Sequence, residues 1–261
     1  MAATKTRTPR LTDEQLAEML GLIRDADSVE LKLTIPETSQ RSAVRSLQLD
    51  PLDAQIRQVF FFDTPDLALN RAGVVARARR VQGKASDSVI KLRPVVPDEL
   101  PDSLRTSPAF TVEVDAMPGG YVCSGSMKGK LSPTAVLEAT SGKVRLRKLF
   151  SKPQRAFFET QAPEGIQLDD LSVLGPIFVL KLAFTPEGFG RRMVAELWLY
   201  PDGSRILELS TKCQPSEAFQ VAAEARAFLA ARGVDASGEQ QTKTKTALTF
   251  FSAELAAKGP K

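Results

Sequence analysis

The sequence, 261 residues long, contains no histidine. That excludes imidazole acid–base catalysis, histidine-containing triads and the common zinc sites. It has only two cysteines, Cys123 and Cys213, far apart in the chain. Two are too few for a disulfide framework, so both are expected to be reduced thiols in a cytoplasmic protein. Long apolar runs are missing because charges interrupt each one, and no membrane span is expected. Residues 1–10 are basic and Thr-rich but no apolar stretch follows them, so they read as a frayed tail rather than a signal peptide. Nor is there a block of one charge sign. The basic residues are scattered through strand-like segments, which disfavours nucleic acid as the partner. Internal repeats and a dividing linker are also absent, leaving a tail and helix over 1–27 and a single domain over 28–261.

What is present is mild positive charge, +4 overall with a pI near 9.1, and a change of hydrophobic period along the chain. Leu16, Met19, Leu20 and Ile23 form a helical stripe after a capping-box pair, Thr12 and Gln15. From residue 29 the period becomes two: Val29, Leu31 and Leu33 oppose Glu30, Lys32 and Thr34. Strands are predicted over 58–62, 74–81, 88–93, 110–114, 143–150, 154–160, 166–171, 177–184, 193–200 and 205–212. Helices are predicted over 41–50, 133–140, 216–232 and 245–257. The Gly- and Ser-rich stretch 119–131 reads as loop.

The charged residues have strand parity. Arg77 and Arg79 share a face, as do Lys91 and Arg93, Glu113 and Asp115, and Glu208 and Lys212; Glu196 is a lone acid, and apolar residues alternate with all of them. One such strand is usually a sheet face turned to water. About eight of them, with helices to cover the apolar face, suggest an α+β fold: a closed antiparallel eight-stranded β-tunnel, helices outside, charges inside. A lumen of Arg and Lys suits a polyanion. Acids among them suit a hard divalent cation. Arg93, Arg145, Arg147, Lys181 and Lys212 either extend this lining or are solvated surface charges.

These segments resemble the CYTH, or triphosphate tunnel, family. Ser28-Val-Glu30-Leu-Lys32 stands where that family has Glu-x-Glu-x-Lys. Phe61-Phe-Asp-Thr-Pro-Asp-Leu67 is similar to its YYDTPDL turn, and Arg71-Ala-Gly73 with Arg77-Ala-Arg79 to its next strand. Lys91, Glu113 and, more loosely, Arg155 match further positions. The resemblance is close over 28–115 and looser over 143–213. It implies hydrolysis of a triphosphate (inorganic, thiamine or nucleoside) with magnesium or manganese. The alternatives within it are a class IV adenylyl cyclase activity and a non-catalytic triphosphate-binding module. By the resemblance Glu30, Lys32 and Glu113 are catalytic, Lys32, Arg77, Arg79, Lys91 and Arg155 bind phosphate, and Glu30, Glu113, Glu196 and Glu208 hold metal. Homodimers are common among such proteins. The chain departs from the pattern at Ser28, where the family has a carboxylate, and the loss of that carboxylate weakens the implied metal site.

Overall fold

The computed structural model describes residues 12–235, 240 and 243–258; the tail expected over 1–10 lies outside them. In chain order the elements are α1 (Asp13–Arg24), β1 (Ser28–Ile35), α2 (Gln40–Ser46), β2 (Gln55–Asp63), α3 (Ala68–Arg71), β3 (Val74–Val81), β4 (Ser86–Leu92), α4 (Asp102–Arg105) and β5 (Phe110–Met117). There follow β6 (Gly120–Leu131), α5 (Ala135–Thr140), α6 (Lys152–Gln161), β7 (Ser172–Phe184), β8 (Met193–Leu199), β9 (Arg205–Cys213), α7 (Ala218–Ala231) and α8 (Lys243–Lys258). None of the helices among the described residues is long and apolar enough to cross a membrane.

The fold is α+β, and its strands close into one barrel in the order β1-β5-β6-β4-β3-β2-β7-β8-β9. Nine strands make the wall, not eight. An odd ring cannot alternate direction all the way round, and the mismatch falls at β1 and β5, which run parallel. All other neighbours are antiparallel.

The apolar faces of the strands point outward, under the helices. Val29, Ala76, Ile90, Val112 and Val114 pack with Phe157 and Phe158 of α6 and Ile23 of α1. Leu33, Leu207 and Leu209 pack with Ala43 of α2 and with Phe228 and Leu229 of α7. A third cluster fills one end of the barrel from within. Val59, Phe61, Ile177, Val179, Trp198 and Ile206 meet Ala247, Leu248 and Phe251 of α8. These strand residues share the face of the lumen charges, since Phe61 pairs with Arg77 and Val59 with Arg79. The C-terminal helix therefore floors the tunnel.

Several sequence expectations are corrected here. Residues 120–131 are strand β6, not loop. Their glycines serve the sheet: a Cβ on Gly125 would meet the Phe110 ring at 2.5 Å, and one on Gly129 the Gln154 amide oxygen at 2.4 Å. The strand predicted over 154–160 is helix α6, started by a capping box between Ser151 and Gln154. Gln154 is buried, and its amide donates to the carbonyls of Ser88 and Met127, clamping α6 to β4 and β6. Segments 143–150 and 166–171 are turns with short 3-10 pieces instead of strands. The family-like turn at residue 63 has a structural task. The Asp63 carboxylate accepts from the backbone N–H groups of Thr64, Leu69 and Asn70, at 2.7–3.0 Å.

Phe61 is fully buried in the floor. Phe61→Ala is expected to cost about 3–5 kcal/mol in urea unfolding. Ile56→Ala, on the exposed outer wall, is expected to change stability by less than about 0.5 kcal/mol.

Candidate functional site

The strand period that sends leucines and valines outward sends charge inward, and the inward side chains line a cavity of about 870 Å³. Twelve cationic and five acidic side chains line it. They fall into distinct groups.

Glu30, Glu113 and Asp115 bring one carboxylate oxygen each within 4.8 Å of one another. Their juxtaposition follows from the parallel pairing, in which Glu30 stands opposite Asp115 and Ser28 opposite Glu113. Asp115 is fully buried. The Lys32 ammonium lies 2.7 Å from it and 3.2 Å from Glu30. Lys91 and Arg93 lie 3.8 and 3.6 Å from its other oxygen. These cations hold the Asp115 carboxylate, Lys32 foremost. Glu113 accepts from the Ser28 hydroxyl at 3.4 Å and pairs with Lys212. Burial pushes the Glu30 and Asp115 carboxyls up, but Lys32 pulls both down, and they end below their ordinary values.

A cationic wall rises on β2, β3, β6 and β7: Arg57, Arg77, Arg79, Lys128 and Lys181. Arg79 is tied to Asp87 at 2.8 Å and Arg57 to the Gln55 side chain at 2.7 Å. Arg77 differs. Its buried Nε has no hydrogen-bond partner among the described residues. Burial, with Arg79 beside it, lowers its pKa to about 10. A buried guanidinium with a free donor is costly unless a ligand completes it.

Further along the β8–β9 side of the lumen, Glu196 and Glu208 share the ammonium of Lys243 from α8, at 2.7 Å each. Lys181 lies 3.5 Å from Glu196, and the Trp198 indole donates to it at 3.2 Å.

The structure thus brings Glu30, Lys32, Arg77, Arg79, Lys91, Glu113, Glu196 and Glu208 to one cavity. Glu196 and Glu208 stand apart from the carboxylate trio. Arg93, Lys181 and Lys212 are lining residues. Arg155 is not. It sits on α6, outside the barrel, where its guanidinium donates to the Phe150 carbonyl, because its segment is a helix. Arg145 and Arg147 pair with Asp169 instead of facing the lumen. Sequence reasoning gave no role to six charged lining residues: Arg57, Asp115, Lys128, Arg192, Lys243 and Lys245. Asp115 shared the parity of Glu113 and could have been placed. Arg57 preceded the expected start of β2, Lys128 lay in a supposed loop, and Lys243 preceded the expected start of α8.

No protein-family model matches the sequence, and no curated protein does. Solved structures do. An adenylyl cyclase candidate from Hippeastrum, described as revealing a dominant triphosphatase activity, superposes with a TM-score of 0.63 at 15% identity, over 85% of this chain and 95% of that one. The chain has the CYTH tunnel fold. An adenylate cyclase candidate from Bacillus halodurans has the same architecture, with a TM-score of 0.58 at 12% identity over 84% of this chain and 97% of its own. At such identities the similarity is one of fold. Within that fold this chain has its own charge arrangement, in which Asp115 joins Glu30 and Glu113 and position 28 is a serine.

Lys91 gives this site a pH signature. Burial lowers its pKa from 10.5 to about 8, against the pull of Asp115. It is charged below that pH and neutral above. In the empty protein the folded state releases this proton before the unfolded state does, so the contribution of Lys91 to stability improves as pH rises from about 8 towards 10.5. Polyanion binding has the opposite sign, because it needs the ammonium. Triphosphate affinity, measured by calorimetry in chelator, is expected to fall several-fold as pH rises through about 8, and the fall is expected to shrink in Lys91→Arg.

Proposed function

We propose that this chain is a metal-dependent triphosphatase whose substrate is a small molecule bearing a triphosphate. The observation that carries the reading is Arg77. Arg77 lines a cavity that also holds a carboxylate trio, and its buried Nε has no hydrogen-bond partner among the described residues. The reaction is attack of water on phosphorus with cleavage of a P–O–P anhydride, and no covalent nucleophile is needed.

The residues divide the work. Arg57, Arg77 and Arg79 offer planar forks to phosphoryl oxygens, and Lys32 and Lys91 offer point charges. These groups neutralise charge as it shifts to the leaving phosphate. The closed wall limits access of bulk water, so each contact is stronger than it would be at a surface.

The donors of Glu30, Glu113 and Asp115 are all anionic oxygens, one from each lying within 4.8 Å of the others. That set fits Mg²⁺ or Mn²⁺. The ion, when held there, would supply Lewis-acid stabilisation of phosphoryl oxygens. Ser28 belongs beside this set as a hydrogen-bond donor to Glu113, and Asp115 supplies the third carboxylate in its stead. The similarity to the Hippeastrum protein supports hydrolysis over cyclisation.

The experiment is phosphate release from inorganic triphosphate, thiamine triphosphate and ATP with Mg²⁺ or Mn²⁺, with nucleotide products separated by chromatography. Release of phosphate supports the reading, cyclic AMP from ATP assigns the cyclase chemistry, and tight binding without products assigns a binding module. Glu30→Gln and Arg77→Met are each expected to lower turnover at least about a hundredfold, the scale of one lost charge-assisted contact in a transition state. Asp115→Asn is expected to raise half-saturating Mn²⁺ about tenfold to a hundredfold. Ser28→Glu is expected to change it less than about threefold, since a full trio is already present.

A further inference from the structure

The tunnel contains a second acidic pair, and the chain fills it with its own cation. Glu196 and Glu208 are direct neighbours across β8 and β9. Two carboxylates this close repel one another unless a positive charge lies between them. The Lys243 ammonium lies there, 2.7 Å from each.

Three independent contacts hold it. Its ammonium sits over the Trp198 ring, 5.1 Å from the centroid, a cation–π contact. The Lys243 carbonyl accepts from the Tyr200 hydroxyl at 3.1 Å. The next turn of α8 is packed into the tunnel floor through Ala247 and Leu248, both buried. Trp198 in turn fixes Glu196 through its indole N–H. The ammonium is therefore delivered by a rigid element to a rigid acceptor. Burial alone would lower the pKa of Lys243, yet the two glutamates raise it above the ordinary value, so it stays charged.

We propose that Lys243 is a resident counter-cation that closes the Glu196–Glu208 pair to metal, so that this tunnel takes one divalent ion, at Glu30, Glu113 and Asp115, instead of two. The inference rests on the metal-dependent reading of the trio given above. It assigns Glu196 and Glu208 a different duty from the metal-ligand role that resemblance implies for them. They anchor the C-terminal helix and set the charge at the tunnel floor. An ammonium offers hydrogen-bond donors and one charge, whereas a divalent ion offers two charges and open coordination positions. With two carboxylates and one ammonium, this group keeps a net negative charge and offers phosphate no Lewis acid.

The test is Mn²⁺ binding to the full-length protein without substrate, followed by the loss of the free-ion electron paramagnetic resonance signal. Wild type is expected to bind one ion. Lys243→Met, similar in length but uncharged, is expected to bind two, the second at least about tenfold more weakly, since only two carboxylates hold it. Lys243→Met with Glu196→Gln and Glu208→Gln is expected to return to one. Glu196→Gln with Glu208→Gln in the presence of Lys243 is expected to keep the single ion, which holds the test open if Lys243→Met does not fold. Two ions in wild type or one ion in folded Lys243→Met overturns the inference while leaving the trio's metal site intact. Loss of the ion in the glutamine pair overturns both, because it places the wild-type ion at Glu196 and Glu208. No ion in wild type overturns the metal-dependent reading itself.

Discussion

Unbalanced positive charge inside a closed wall is the constraint on which this structure depends. Twelve cations face five acids in the cavity. Two like charges at 4 Å cost about 4 kcal/mol at the effective dielectric near a protein surface. The chain relieves part of this by interleaving acids: Asp115 faces Lys32, Lys91 and Arg93, Asp87 faces Arg79, and Glu196 faces Lys181 and Lys243. The remainder is the binding potential of the site. Lys91 and Arg77, both pulled below their ordinary pKa values with burial as the leading cause, mark where an anion would gain most.

The fold is arranged around that constraint. A barrel with a charged interior must find its hydrophobic core elsewhere, and it does so on the outer wall. The helices α1, α6 and α7 supply the other half of that core. A hollow charged tube also needs an end. Helix α8 provides one by packing apolar residues against the lumen side of β2, β7, β8 and β9. Closure removes sheet edges, so every strand has two neighbours and the lumen side chains keep their register. The parallel contact of β1 with β5 follows from the odd strand count, and it sets Glu30 opposite Asp115.

Much of this was legible in the chain, and what was not has physical causes. The alternation of Glu30 with Leu31 and of Arg77 with Ala78 reports strand parity directly, and parity was enough to gather eight of the nine expected site residues in one cavity. Arg155 was placed by resemblance alone, in a segment read as a strand, and it lies on helix α6 outside the barrel. The signal against a strand was local and present: Ser151 and Gln154 form a capping box, with a proline in the first turn. Strand β6 failed for the opposite reason. Gly125 and Gly129 look like loop residues, and only the Phe110 ring and the Gln154 side chain, brought in from other elements, explain them. Lys243 was beyond local reading. It completes an acidic pair on β8 and β9, and that contact exists only after the barrel closes.

The central claim is that the lumen is a triphosphate site with its metal at Glu30, Glu113 and Asp115. A crystal structure of the protein grown with Mn²⁺ and a non-hydrolysable triphosphate analogue, with anomalous data at the manganese edge, tests it most directly. The account expects one anomalous peak within coordination distance of all three carboxylates and phosphoryl density in contact with Arg77 and Lys91. Analogue and manganese bound outside the barrel, with Arg77 unchanged in the lumen, would contradict it.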